Sequence, residues 1–213
     1  TESIAQQLQK VINDKGLSNE LQINNDNEKV KKIKIEAILQ HYGAPTRFID
    51  LVDNHWIALW MGLYRLEKIK NLLTYYRYVE RTIPYIDAIP LNLRMIPEKE
   101  IYQYILLVAF PSGEPKAPGI YETDKHIIVD LRQALPSTFL RPHAQHALVA
   151  KALTNLTDVE KDHYDLAKNV VGIIRIRIDR AHDWVGLGQL LTQDNLFPPA
   201  AYDNGYDVLL SRT

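Results

Sequence analysis

The chain has 213 residues, with 25 Lys and Arg against 26 Asp and Glu, and its formal charge of −1 gives no general pull toward nucleic acid or an anionic membrane. Cysteine is absent, which excludes disulfides, thiolate nucleophiles and Cys-ligated zinc and fits a reducing, cytoplasmic setting. Residues are 46% apolar and 24% charged, and no apolar run nears the ~20 residues that span a bilayer, so the composition predicts an ordinary globular fold with no membrane segment.

In chain order, Ile4, Leu8, Val11 and Ile12 recur at helical spacing and predict an amphipathic helix over 2–14, stopped by Gly16. The first residue is Thr1 rather than Met, which leads us to expect a further segment upstream. A polar run at 24–28 supplies caps for a second helix over about 27–41, with Val30, Ile33, Ala37 and Ile38 on one face and Gly43 and Pro45 as its end. "TRFIDLV" predicts a strand over 46–52, and Asp53 or Asn54 caps a third helix expected to run to about Lys70.

"LLTYYRYVE" is compatible with helix or edge strand, and prolines 84, 90 and 97 predict irregular chain up to 100. "YILLVAF" at 104–110 reads as a core strand, "PSGEPKAPG" as a loop and "HIIVDL" from 126 as a strand. "GIIRIRID" at 172–179 alternates Ile with Arg and predicts a strand with one wet face. The stretch 157–169 carries no clear pattern, and the tail from Ala181 reads as helix, turn, helix. Neither a linker-like composition shift nor a repeat is visible. The expectation is therefore one α+β domain over 1–213, helices first and then a mixed, mostly antiparallel sheet.

Two clusters stand out. His41, Tyr42, Arg47, Asp50, Asp53, Asn54 and His55 crowd a helix end, a strand and a helix start, a setting that favours anions such as phosphate. The competing structural reading makes Arg47 and Asp50 an ion pair, Asp53 or Asn54 a cap and His41 a core histidine. Arg141, His143, Gln145 and His146 form the second cluster. His143 and His146 lack a third ligand at recognisable spacing, so no metal is expected. No GxSxG elbow, P-loop or complete GxGxxG occurs, which excludes the classical hydrolase and dinucleotide-fold readings.

The segment "QHYGAPTRFIDLVDNHWIALWMG" resembles the FRG domain signature, through Gln40, His41, Tyr42, Gly43, Pro45, Thr46, Arg47, Asp50, Ala58 and Leu59. "RPHAQHALV" resembles a later segment of that family through Arg141, Ala144 and Gln145, and "NLFPP" another through Leu196, Phe197 and Pro198, so the likeness spans about 30–200. Leu51, Val52, Asn54, His55, Ala147 and Val149 depart from the pattern, and the Phe/Tyr-Arg-Gly motif that names the family does not occur. The resemblance implies a bacterial or phage protein with a defence or toxin role. Its motif layout is similar to that of ADP-ribosyltransferases, which implies NAD or another nucleotide-like ligand. On that analogy Gln145 and His41 are the catalytic candidates, and Tyr42, Thr46, Arg47, Asp50, Asn54 and Arg141 line the ligand. The alternative is a protein-interaction module in which the same motif only holds the fold.

Overall fold

The structure, a computed structural model, describes residues 19, 21–44, 46–70, 74–80, 102–153, 166–187 and 189–206. The helix expected over 2–14, prolines 45, 84, 90 and 97, and most of the stretch 157–169 lie outside the described residues. The chain passes through α1 (Glu28–His41), β1 (Ile49–Val52), α2 (His55–Leu63), β2 (Tyr64–Lys70), β3 (Thr74–Glu80) and β4 (Tyr102–Val108). Then follow β5 (Glu114–Ala117), β6 (Ile120–Glu122), β7 (His126–Asp130), α3 (Leu131–Ala134), α4 (Leu140–Ala144), β8 (Ala147–Ala152), β9 (Val170–Arg177), α5 (Ile178–Trp184) and α6 (Gln193–Leu196). The class is α+β with mostly antiparallel sheets, as expected. Contacts divide the chain into two compact units, one of residues 1–53, 108–170 and 194–213, the other of 54–107 and 171–193.

The first unit is built on a five-stranded sheet in the order β1-β8-β7-β6-β5. Its pairings are antiparallel, with Val52 opposite Ala147 and Asp130 opposite Leu148. β7 and β8 are almost wholly buried, which explains why "HIIVD" and "ALVAKA" read as near-continuous apolar runs. α1 starts where the Asn27 side chain accepts the Val30 amide at 3.0 Å, and it ends at Gly43, whose φ of 100° few other residues adopt. Its apolar face, with Val30, Ile33, Ala37 and Ile38, joins Phe48, Ile127, Val129, Phe139 and Val149 in one core. Two buried ion pairs border that core. Lys34 meets Asp26 at 2.7 Å, and Glu36 meets Lys151 of β8 at 2.6 Å.

The second unit contains α2, capped by the Asn54 side chain on the Trp56 and Ile57 amides, and two sheets of two strands, β2-β3 and β4-β9. The helix expected from Asn54 to Lys70 stops at Leu63. From Tyr64 the chain is a strand, paired with β3 from Tyr64 opposite Glu80 to Lys70 opposite Thr74. "YRLE" alternates, and the partner strand "TYYRYVE" is rich in aromatic and branched residues, so pairing outweighs the helical propensity of Leu, Glu and Lys. The same pairing settles "TYYRYVE" as strand.

Other boundaries also move. The strand expected at 46–52 begins at Ile49, and the loop expected at 111–119 contains β5. "YILLV" is a strand but not a core one: Tyr104, Leu106 and Leu107 are exposed, and among the described residues β4 pairs with β9 alone. In β9 only Ile176 is buried, while Ile173 and Ile174 face solvent, so the Ile/Arg alternation marks a strand without marking a full core face.

Candidate functional site

The first unit gathers the Arg141 segment, the end of α1 and the residues after α6 around one carboxylate, Asp203. Asp203 is 1% exposed and accepts hydrogen bonds from four donors. Two contacts come from the Tyr42 hydroxyl, at 2.8 Å to each oxygen, and three from the backbone amides of Leu140, Arg141 and Gly205. Leu140 and Arg141 open α4, so the carboxylate satisfies amide groups that a short helix leaves free. Gly205 is required beside it, because a Cβ there would overlap the Tyr42 ring. Burial pushes the Tyr42 hydroxyl far above its ordinary pKa, and the Asp203 charge adds to this, so Tyr42 stays protonated and donates.

Above this knot lies the Arg141 guanidinium, 5.4 Å from the centre of the Tyr42 ring and 5.0 Å from that of Phe197. It donates to the Tyr206 hydroxyl at 3.3 Å. Among the described residues no carboxylate lies within ion-pair distance of it, and its Nε is buried without a partner. His41 stands edge-on to Tyr42 at 5.7 Å, with Nδ1 3.5 Å from Asp50 and a buried Nε2 that also lacks a partner. Burial holds the His41 pKa below its ordinary value. The hydrogen bond to the Asp50 carboxylate opposes this and the Arg141 charge reinforces it, so burial prevails and the neutral ring is favoured.

The other expected site residues fall in different places. Gln145 is 2% exposed and donates its amide to the Leu196 carbonyl at 2.8 Å. Thr46 and Asp50 are tied together through Gln40: its carbonyl oxygen accepts the Thr46 hydroxyl at 2.8 Å, and its amide donates to Asp50 at 2.9 Å. The Thr46 hydroxyl in turn accepts the Phe48 amide, which fixes the turn into β1. Arg47 is exposed, its Nε 3.8 Å from Glu36. Asn54 caps α2 in the second unit. The structure therefore brings His41, Tyr42 and Arg141 together, and ties Thr46 and Asp50 to the α1 end through Gln40.

Sequence reasoning missed Asp203 and Tyr206. Both lie in "AYDNGYD", which offers no periodicity, and only Gly205 between two tyrosine-bearing turns hints at a tight approach. It also missed Arg132, whose Nε and NH2 bind Asp130 at 2.9 Å each while its NH1 and NH2 bind Asp53 at 3.1 and 2.7 Å. His146 completes this second cluster, with Nδ1 3.1 Å from Asp53. Burial raises the Asp53 carboxyl, but hydrogen bonds from Arg132 and His146 outweigh it and leave it below the usual range. Two forked ion pairs on one guanidinium make this a clamp between the ends of β1 and β7. Among the described residues no group of three His, Cys, Asp or Glu side chains is arranged to hold a metal ion.

An antiparallel sheet, with Tyr42 at the end of α1 tied through Asp203 to the start of α4, defines an α+β protein. Within it, residues 2–70 match the model of the FRG domain, the span that carries Gln40 to Asp50. No curated protein and no solved structure matches the chain. No described helix is long and apolar enough to cross a membrane.

Proposed function

We propose that the first unit binds a phosphorylated, nucleotide-like small molecule, NAD being one member of that class, through the Arg141 guanidinium beside His41 and Tyr42. One observation carries this reading: Arg141 is held between two aromatic rings with no carboxylate to neutralise it among the described residues, because the adjacent Asp203 is saturated by the Tyr42 hydroxyl and three amides. A guanidinium fixed in that way is preorganised for a phosphate oxygen, and the unpaired His41 Nε2 supplies a second polar contact. The FRG match supports the reading to the extent that His41 and Tyr42 lie within residues 2–70. The proposal stops at binding, because the Gln145 amide is engaged with the Leu196 carbonyl and a carboxamide stabilises developing positive charge poorly. A defence or toxin setting belongs to the same reading, and its target is not specified by this site.

Calorimetric titration with AMP, ADP-ribose, NAD and adenosine tests it. The phosphorylated probes are expected to bind and adenosine to bind far more weakly, and Arg141→Ala is expected to lose at least about tenfold in affinity with an unchanged melting temperature. Absence of binding by every phosphorylated probe, or loss of stability in place of affinity, overturns it. A second reading, a protein-interaction module, draws on the apolar side chains that β4 and β9 expose, Leu106 and Ile173 foremost. It predicts self-association or partner capture that Leu106→Lys abolishes, as read by sedimentation.

A further inference from the structure

We propose that the anion site of the first unit selects phosphate monoesters in their dianionic form, and that His41 takes up a proton from solvent as such a ligand binds. This rests on the reading of Arg141 as the anion contact and says which phosphates that contact favours. His41 is the last residue of α1 and is 5% exposed. Its Nδ1 lies 3.5 Å from one Asp50 oxygen, and the other Asp50 oxygen accepts the Gln40 amide at 2.9 Å, so the carboxylate is held in place. Its Nε2 is buried without a partner, an uncommon state for a polar atom, and is the nitrogen left for a ligand.

The ring's own chemistry sets the protonation state that binding demands. A neutral imidazole has one N–H and one bare nitrogen. With the proton on Nδ1, toward Asp50, Nε2 turns a lone pair to an incoming phosphate; with the proton on Nε2, Nδ1 turns one to the carboxylate. A carboxylate and a dianionic phosphate only accept, so the ring satisfies both together only as the imidazolium. The surrounding charges point the same way. Asp50 acts on the ring from β1, Asp203 from the stretch after α6 and Arg141 from α4, while the adjoining Tyr42 stays protonated. One cation stands against two carboxylates, so a dianion beside Arg141 makes this corner strongly negative unless a proton accompanies it. In the free protein burial holds the ring below its ordinary pKa, so above neutral pH that proton arrives with the ligand. A monoanionic diester brings less charge and drives the uptake less, which is the source of the selection.

Calorimetric titration of the full chain with AMP and with cyclic AMP, each in two buffers of different ionisation heat at pH 7.5, tests this. AMP is a dianion there, since its second ionisation lies near ~6, so a proton taken up goes to the protein. AMP is expected to bind with uptake of at least about half a proton, and its affinity to fall about three- to tenfold per pH unit above neutrality. Cyclic AMP and NAD, which carry no terminal phosphate, are expected to bind at least about tenfold more weakly than AMP. His41→Gln keeps a donor but cannot take a proton, and is expected to bind AMP weakly with neither uptake nor pH slope. The wild-type measurement decides by itself should that variant not fold. AMP bound without proton uptake, an affinity flat with pH, uptake that persists in a folded His41 variant, or cyclic AMP bound as tightly as AMP overturns this selection and leaves the Arg141 reading standing. Absence of binding by every phosphorylated probe overturns both.

Discussion

At Asp203 one buried carboxylate organises residues that lie 161 positions apart in the chain, since its partner is Tyr42. Asp203→Asn keeps the shape but replaces an acceptor with a donor in front of amides that also donate. We expect a loss of about 2–3 kcal/mol in chemical denaturation, against about 1–2 kcal/mol for Tyr42→Phe, which leaves the three amide bonds in place. Equal losses in the two variants would remove the carboxylate from its central place. His41 gives the pH dependence. Its folded pKa lies below the ordinary 6.5, so the unfolded chain binds the extra proton and stability rises with pH. This contribution is whole above about pH 6.5 and is lost as pH falls below it. Melting temperatures recorded between pH 7.5 and 5 should therefore fall, and His41→Asn should flatten the fall. At this scale sequence reading found His41, Tyr42 and Arg141 because they sit inside or beside a recognisable motif. Asp203 stayed hidden because a lone aspartate in a turn-rich tail has no local pattern, and its partners are distant in the chain.

Between elements, α1 and β8 are joined by Glu36 and Lys151, which lie 2.6 Å apart with 8% and 6% exposure. Lys151 also lies 4.5 Å from the Phe48 ring centre. Glu36→Ala takes the carboxylate away from a buried ammonium and is expected to cost about 3–5 kcal/mol, whereas replacing both residues by Leu and Met should recover most of that loss; urea denaturation of the single and double variants measures it. Arg132 makes a similar case at the sheet end. Lysine cannot reproduce two forked contacts, so Arg132→Lys should lower the melting temperature nearly as much as Arg132→Ala. Rescue by lysine would show that charge alone suffices there. α1 and β7 were legible because cap, period and stop agreed along the sequence. β2 was misread because the residues after Leu63 favour helix locally, and only the partner strand, from Lys70 opposite Thr74 to Tyr64 opposite Glu80, decides otherwise. β4 was read as core because its composition is apolar, and composition does not say how many strands will flank it.

Across the whole molecule, each unit is assembled from separated stretches of chain: the first from residues 1–53, 108–170 and 194–213, the second from 54–107 and 171–193. No composition change marks these crossings in the sequence. Gly205→Ala tests the partition. Overlap with the Tyr42 ring should cost about 1–3 kcal/mol, and hydrogen exchange should quicken in β1, β7 and β8 while β2 and β3 keep their protection.

Asp203 lies in the third of the three stretches of its unit, and this has a consequence during synthesis. On the ribosome, α1 and β1 emerge more than ninety residues before their partner β8 and some 150 before the carboxylate that seals Tyr42. At ~5–20 residues per second the early helix and strand wait several seconds with apolar faces open, a window in which holding chaperones have access. The motif that most resembles a site is thus completed only when the last stretch of its unit has been made.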